Sequence, residues 1–174
     1  KQLAQVAEKL RTELRTKWLD KQAIESWNPR CQIVLHPNVR SYVSAAGRGS
    51  EHTVGCSLVK VAEGRVTYRR VDLLTERKDF LSSALPHELT HVGLKDRFIS
   101  TDVPRWADEG MAILADSQAK QGGHLSDLRN AVSRRIAFHT AALVRIDEYP
   151  AADRVGAFYG QSASMAKFLV DRKS

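Results

Sequence analysis

Strand-like runs first and helical patterns after them predict an α+β fold with a small N-terminal sheet and a mainly helical C-terminal part. Three observations carry this. Residues 31–36, 54–61 and 65–73 are apolar or alternating runs of strand length. From Lys78 onward, apolar residues recur at helical spacing instead. The chain has 174 residues, 43% hydrophobic and 27% charged, so one ordinary domain, or a tight two-lobed one, can bury its own core without staples.

Within residues 1–21, Leu3, Val6, Ala7, Leu10, Leu14 and Trp18 fall at helical spacing with charges between them, an amphipathic helix. Ser26-Trp27-Asn28-Pro29 breaks it. The run 31–36, before Pro37, reads as a strand. Residues 40–52, with Gly47, Gly49 and several hydroxyl side chains, read as a loop. Residues 54–61 and 65–73 read as two strands joined around Glu63-Gly64. Residues 79–94 form a helix interrupted by Pro86, which lacks one intrahelical hydrogen bond. The helix kinks there or starts there; Leu85 is a poor N-cap, which favours the kink. Helices over 104–118, 125–143 and 155–170 follow, with Pro104 suited to a first turn. There are no repeats and no low-complexity tract. The expected organisation is a single domain over 1–174, with strands and one helix in 1–103 and a helical lobe in 104–174.

The formal net charge is +7. Lysines and arginines are scattered, and the densest pairs, Arg69-Arg70 and Arg134-Arg135, lack interleaved aromatics. This favours a solvated basic surface over a nucleic-acid site. No apolar run approaches the roughly 20 residues of a membrane span. The chain opens at Lys1 without a signal-peptide pattern, which reads as a mature or excised fragment. Cys31 and Cys56 stand outside any C-x-x-C and in strand-like stretches. They are either a pair in an oxidising compartment or two buried thiols.

One stretch proposes a chemistry. His87-Glu88-Leu89-Thr90-His91 reads H-E-x-x-H inside a helical run. Residues i and i+4 share a helix face, so both imidazoles can reach one metal ion. Glu88 points a quarter-turn away, close enough to touch a water on that metal. A catalytic zinc keeps three protein ligands and an open position. A third histidine at the metzincin spacing is absent, because Leu94 and Arg97 occupy those places. Glu109, 18 positions after His91, lies between Trp106 and Ile113 on an apolar helical stripe. A carboxylate there is costly to bury unless a cation meets it. Asp108 is the competing third ligand, or a partner to the site. Gly110 lets another backbone approach closely.

H-E-x-x-H followed on the next helix by Trp106-x-x-Glu109-Gly110-x-Ala112 resembles the gluzincin metallopeptidases, the thermolysin-like superfamily, in its small peptidase MA-like form. Tyr159-Gly160-Gln161-Ser162 and the apolar run after it look like the family's Y-x-Q-S. The similarity spans roughly residues 33–170. It implies a zincin-like fold with Zn2+ in a cleft, held by His87, His91 and Glu109. It implies Glu88 as general base toward a zinc-bound water, and Tyr159 as oxyanion or substrate-positioning group. Nothing matches the G-x-M-E-N strand that grips a free amine in the aminopeptidase branch; Val54-Gly55-Cys56-Ser57 comes nearest and lacks a carboxylate. The expectation is therefore an endopeptidase acting on a peptide or protein substrate. Strand 65–73 would be the sheet edge where an extended peptide adds.

The alternative is a non-catalytic zinc-binding module of the same fold, carrying a protein or cell-envelope partner. A basic nucleic-acid-binding domain ranks third. Peptidases resembling this one are often exported, so an extracytoplasmic location is expected. Trp106 reads as a core anchor before a substrate contact, and Asp116, two turns beyond Glu109, as solvent-exposed before a hydrogen-bond partner of a ligand histidine. His36, His52, His124 and His139 lie outside ligand spacing and read as structural or exposed. Arg145 could assist Tyr159.

Overall fold

A computed structural model of the chain describes residues 2–19 and 26–172. It is α+β, a three-stranded sheet with a mostly helical remainder. The described residues form two compact units that divide between Asp102 and Val103.

In the first unit, α1 (Gln2–Trp18) is followed by β1 (Cys31–His36), α2 (Val39–Ala46), β2 (Gly55–Ala62), β3 (Arg65–Leu74) and α3 (Leu85–Arg97). The last positions of the first expected helix, 20 and 21, lie outside the described residues. Helix α1 packs on α3, and α3 packs on β2 and β3. The core holds Tyr42, Val71, Leu73, Leu85 and Val92, none with any exposed surface.

The sheet order is β1-β3-β2. Strand β1 runs parallel to β3, with Cys31 opposite Arg69 and His36 opposite Leu74. Strand β2 runs antiparallel to β3, from Gly55 opposite Leu73 to Ala62 opposite Arg65. Glu63 and Gly64 have φ of 52° and 69°. Two left-handed residues make the mirror-image turn whose twist suits a hairpin. The expectation of β3 as the sheet edge is therefore corrected: β3 is central, and β1 and β2 are the edges. The signal was the unbroken burial of Val71, Asp72, Leu73 and Leu74, the mark of a strand covered on both faces.

This order also answers the cysteine question. Cys31 and Cys56 lie on the two outer strands, opposite Arg69 and Asp72 of β3, so about 10 Å of sheet width and a further three residues of register separate them. Disulfides need Cα atoms no more than about 7 Å apart. Both thiols are free and half-buried. Burial pushes the Cys31 thiol up to about 11, against the charge of Arg69.

The expected loop at 40–52 begins as helix α2 instead. Asn38 Oδ1 caps it, accepting from Ser41 N at 3.0 Å. Tyr42 anchors it, with its hydroxyl 2.7 Å from Thr53 Oγ1. Gly47, at φ 96°, ends it. Buried His36 bridges Ser41 Oγ at 2.9 Å and Asp72 Oδ1 at 2.6 Å, tying β1 to α2 and β3. Burial opposes the ionisation of Asp72. Hydrogen bonds from Arg70 and His36 outweigh it and hold the carboxyl below its ordinary value.

The second unit comprises α4 (Arg105–Ile113), α5 (Gln118–Ser133), α6 (Thr140–Leu143) and α7 (Ala152–Asp171). Helix α7 packs on α4 and α5. Two glycines allow the close approach. A Cβ at Gly110 would lie 2.4 Å from Ser162 O, and one at Gly160 would lie 2.4 Å from His124 O. The expected helix boundaries 104–118 and 125–143 are corrected. Ser117 Oγ accepts from Lys120 N at 3.4 Å and starts a new helix, α5, which runs through Gly122 and Gly123. Arg135, at φ 57°, lies in the turn that follows α5.

Candidate metal centre

The helix bearing the H-E-x-x-H begins with a widened turn. Over Phe80–Ala84 the backbone is π-helical, with Ala84 N donating to Asp79 O at 3.3 Å and Leu85 N to Phe80 O. The i+5 pairing occurs just where the Pro86 ring would otherwise press on the carbonyl four residues back. Both readings of Pro86 thus hold in part. It sits in the first turn of α3, and the irregularity lies one turn earlier.

Helix α3 sets His87 and His91 one turn apart. Their ring centroids are 4.9 Å apart with planes at 74°, and both rings are half-buried. Glu88 is 7% exposed. Its side chain lies against the start of β2, where a Cβ at Gly55 would be 2.8 Å from Glu88 Cγ and 3.0 Å from Oε1. The charge of Glu88 adds to burial in raising the Cys56 thiol and in pushing Tyr42 up to about 12.

In the second unit, Glu109 is 3% exposed on α4. Tyr149 donates its hydroxyl to Glu109 Oε1. Burial, then the charge of Glu109 and this bond, raise the Tyr149 phenol well above its ordinary value, so it stays a donor. Arg105 stacks 4.5 Å from the Tyr149 ring, and its Nε donates to Asp147 O at 2.6 Å. These contacts fix the segment that carries Tyr149. Tyr159, on α7, packs against the rings of Tyr149, Phe158 and His124 at 6.2, 5.6 and 5.6 Å.

His87, His91 and Glu109 each offer one ligand atom, and these atoms all lie within 4.8 Å of one another. Two imidazoles and a carboxylate are a donor set that suits zinc. Asp108 is not in this cluster. Asp116, expected to be exposed, is 5% exposed, with Lys120 Nζ 3.5 Å from Oδ2. The turn after α4 folds it inward. Trp106 is half-buried, His52, His139 and Arg145 are exposed, and His36 is structural.

Comparison of the chain with family models, curated proteins and solved structures gave no match. The reading of the site therefore stands on its residues.

Two site residues escaped the sequence reading. Tyr149 is 40 positions from Glu109, and no spacing links them. Gly55 carried a usable signal, since a glycine at a strand end marks close approach by another group.

Proposed function

We propose that this chain is a zinc-dependent peptidase of the gluzincin type, acting as an endopeptidase. The observation that carries the reading is the His87, His91 and Glu109 cluster, with buried Glu88 on the same helix as both histidines. Zinc, when bound, lowers the pKa of water from 15.7 to about 7 and polarises a carbonyl.

The chain's own residues supply the rest. Glu88 takes a proton from the attacking water and returns it to the leaving amine. Gly55 keeps β2 close without displacing that carboxylate. Tyr149 holds one oxygen of Glu109, orienting the ligand as an outer hydrogen-bond partner. Tyr159, one aromatic contact from Tyr149, is the candidate for positioning the substrate carbonyl. Among the described residues no strand pairs with the outer side of β2. Its start lies beside Glu88, so an extended peptide adding there would present its carbonyls near the base. This edge takes the role first expected of 65–73.

The test is a peptide-library digest with metal analysis on wild type and Glu88→Gln. The proposal expects one zinc per chain in both, cleavage by wild type alone, and its loss with a chelator. Equal behaviour of the two proteins, with zinc bound and no cleavage, would favour the non-catalytic module.

A further inference from the structure

A cavity of about 150 Å³ opens between α1 and α3, lined by Arg11, Arg15, Trp18, Trp27, Gly93 and Arg97 with leucines between them. On the metal helix these positions turn away from the histidines: residues 90, 93 and 97 form a stripe roughly 105° around the axis from 87 and 91, at 100° per residue.

The wall chemistry is one-sided. Arg11 is 9% exposed; its guanidinium lies 5.3 Å from the Trp27 ring, and its Nε donates to Glu8 Oε2 at 2.8 Å. Among the described residues of the lining, Asp96 is the only carboxylate, and it is already committed: Arg69 donates to Oδ1, and Trp27 Nε1 to Oδ2 at 2.9 Å. Arg15 Nε and Trp18 Nε1 are buried donors with no hydrogen-bond partner among the described residues. Neither group can accept, so each needs an acceptor that the described residues do not supply. Buried donors are rarely left this way, and Arg15 and Trp18 both line this cavity. Leucines and indoles line much of the rest of the wall, and a cavity of this size holds a benzene-sized body.

We propose that this cavity is a binding site for a small organic carboxylate with an aromatic or branched apolar body. The carboxylate lies against Arg15 and Trp18, whose side chains turn their Nε and Nε1 donors toward it, and Arg15 and Arg97 supply the countercharge. The body lies among the indoles and leucines. Guanidinium forks suit carboxylate and phosphate alike, and the apolar walls select the carboxylate. The site does not depend on the zinc reading. Its ligand is either a free aryl acid or the C-terminal carboxylate of a peptide ending in an aromatic residue.

The experiment measures binding by calorimetry and by tryptophan fluorescence, on the whole chain, with and without a chelator. The probes are phenylacetate, its neutral amide, inorganic phosphate, and two short peptides ending in phenylalanine, one with a free and one with an amidated C-terminus. Phenylacetate should bind saturably and quench the tryptophans with or without chelator. The amide and phosphate should bind at least 10-fold more weakly. Preference for the free-acid peptide over phenylacetate identifies the peptide source; the reverse identifies the free acid. Gly93 lines the cavity and a Cβ there meets nothing within 4 Å, so Gly93→Leu is the variant that occupies it. That variant should fold by circular dichroism and lose binding, and Arg15→Leu should weaken binding at least 10-fold. Absence of saturable binding, equal affinity for the amide, or full binding by folded Gly93→Leu would each overturn the proposal.

Discussion

Gly110→Ala should destabilise the second unit, even though alanine is the better helix former. The new Cβ would lie 2.4 Å from Ser162 O, 2.8 Å from Ser162 C and 2.9 Å from Ala166 Cβ. Comfortable contacts for a carbon begin near 3.5 Å, so α4 and α7 must part by about 1 Å. The first two obstacles are backbone atoms of a 20-residue helix and cannot rotate aside. Overpacking at such a site costs about 3 kcal/mol. Replacing glycine by alanine inside a helix returns about 1 kcal/mol. The net loss is about 2 kcal/mol, or roughly 4–8 °C in Tm for a chain of this size. Gly123→Ala is the internal control, because its Cβ on α5 meets nothing within 4 Å. It should gain up to about 1 kcal/mol from the same propensity difference. The assay is urea unfolding followed by circular dichroism, with a chelator present so that metal binding does not mask the change. Gly110→Ala as stable as wild type, or stabilised like Gly123→Ala, would refute the reasoning about the α4–α7 contact.

The remaining predictions concern the site and its supports. Tyr149→Phe should leave the fold intact and weaken zinc binding by about 10–100-fold, measured by competition with a chromophoric chelator. Gly55→Ala should push the Glu88 side chain from its place, lowering kcat by about 100-fold with zinc content unchanged; unaltered peptide turnover would count against the role of Gly55. Asp72 has a depressed carboxyl pKa, so its contribution is present above the unfolded value near 3.9 and is lost as pH falls through the folded value. Asp72→Asn should therefore cost about 3 kcal/mol at pH 7, and the gap to wild type should narrow toward pH 3 in urea melts. A gap that stays constant with pH would contradict the ionised pairing with Arg70 and His36.

Much of the architecture was legible because its elements carry their own periodicity. The strands at Cys31–His36 and Arg65–Leu74, and the helices holding Glu88 and Glu109, are set by local patterns that tertiary contacts do not contradict. What escaped was decided by single hydrogen bonds or by pairing. Asn38 turned a polar, glycine-flanked segment into α2 by satisfying one backbone donor. Ser117 did the same for α5, whose first turns lay between the expected helices at 104–118 and 125–143. The central place of β3 depends on which strands meet it, which no strand records except through the burial of Val71–Leu74. At the candidate centre, His87, Glu88 and His91 share one helix, so their spacing is in the sequence. Glu109 was visible as a carboxylate on an apolar stripe. Tyr149 approaches it from a segment with no periodicity, and only the three-dimensional contact reveals it.

The central claim is that His87, His91 and Glu109 hold a zinc ion that works with Glu88 on a peptide bond. The most direct measurement is the rate of peptide hydrolysis by wild type and Glu88→Gln, each verified to carry one zinc per chain. The account predicts equal zinc content and a loss of rate on the order of 10²–10⁴-fold in Glu88→Gln. Zinc-loaded wild type and Glu88→Gln that hydrolyse the peptide at the same rate would contradict it.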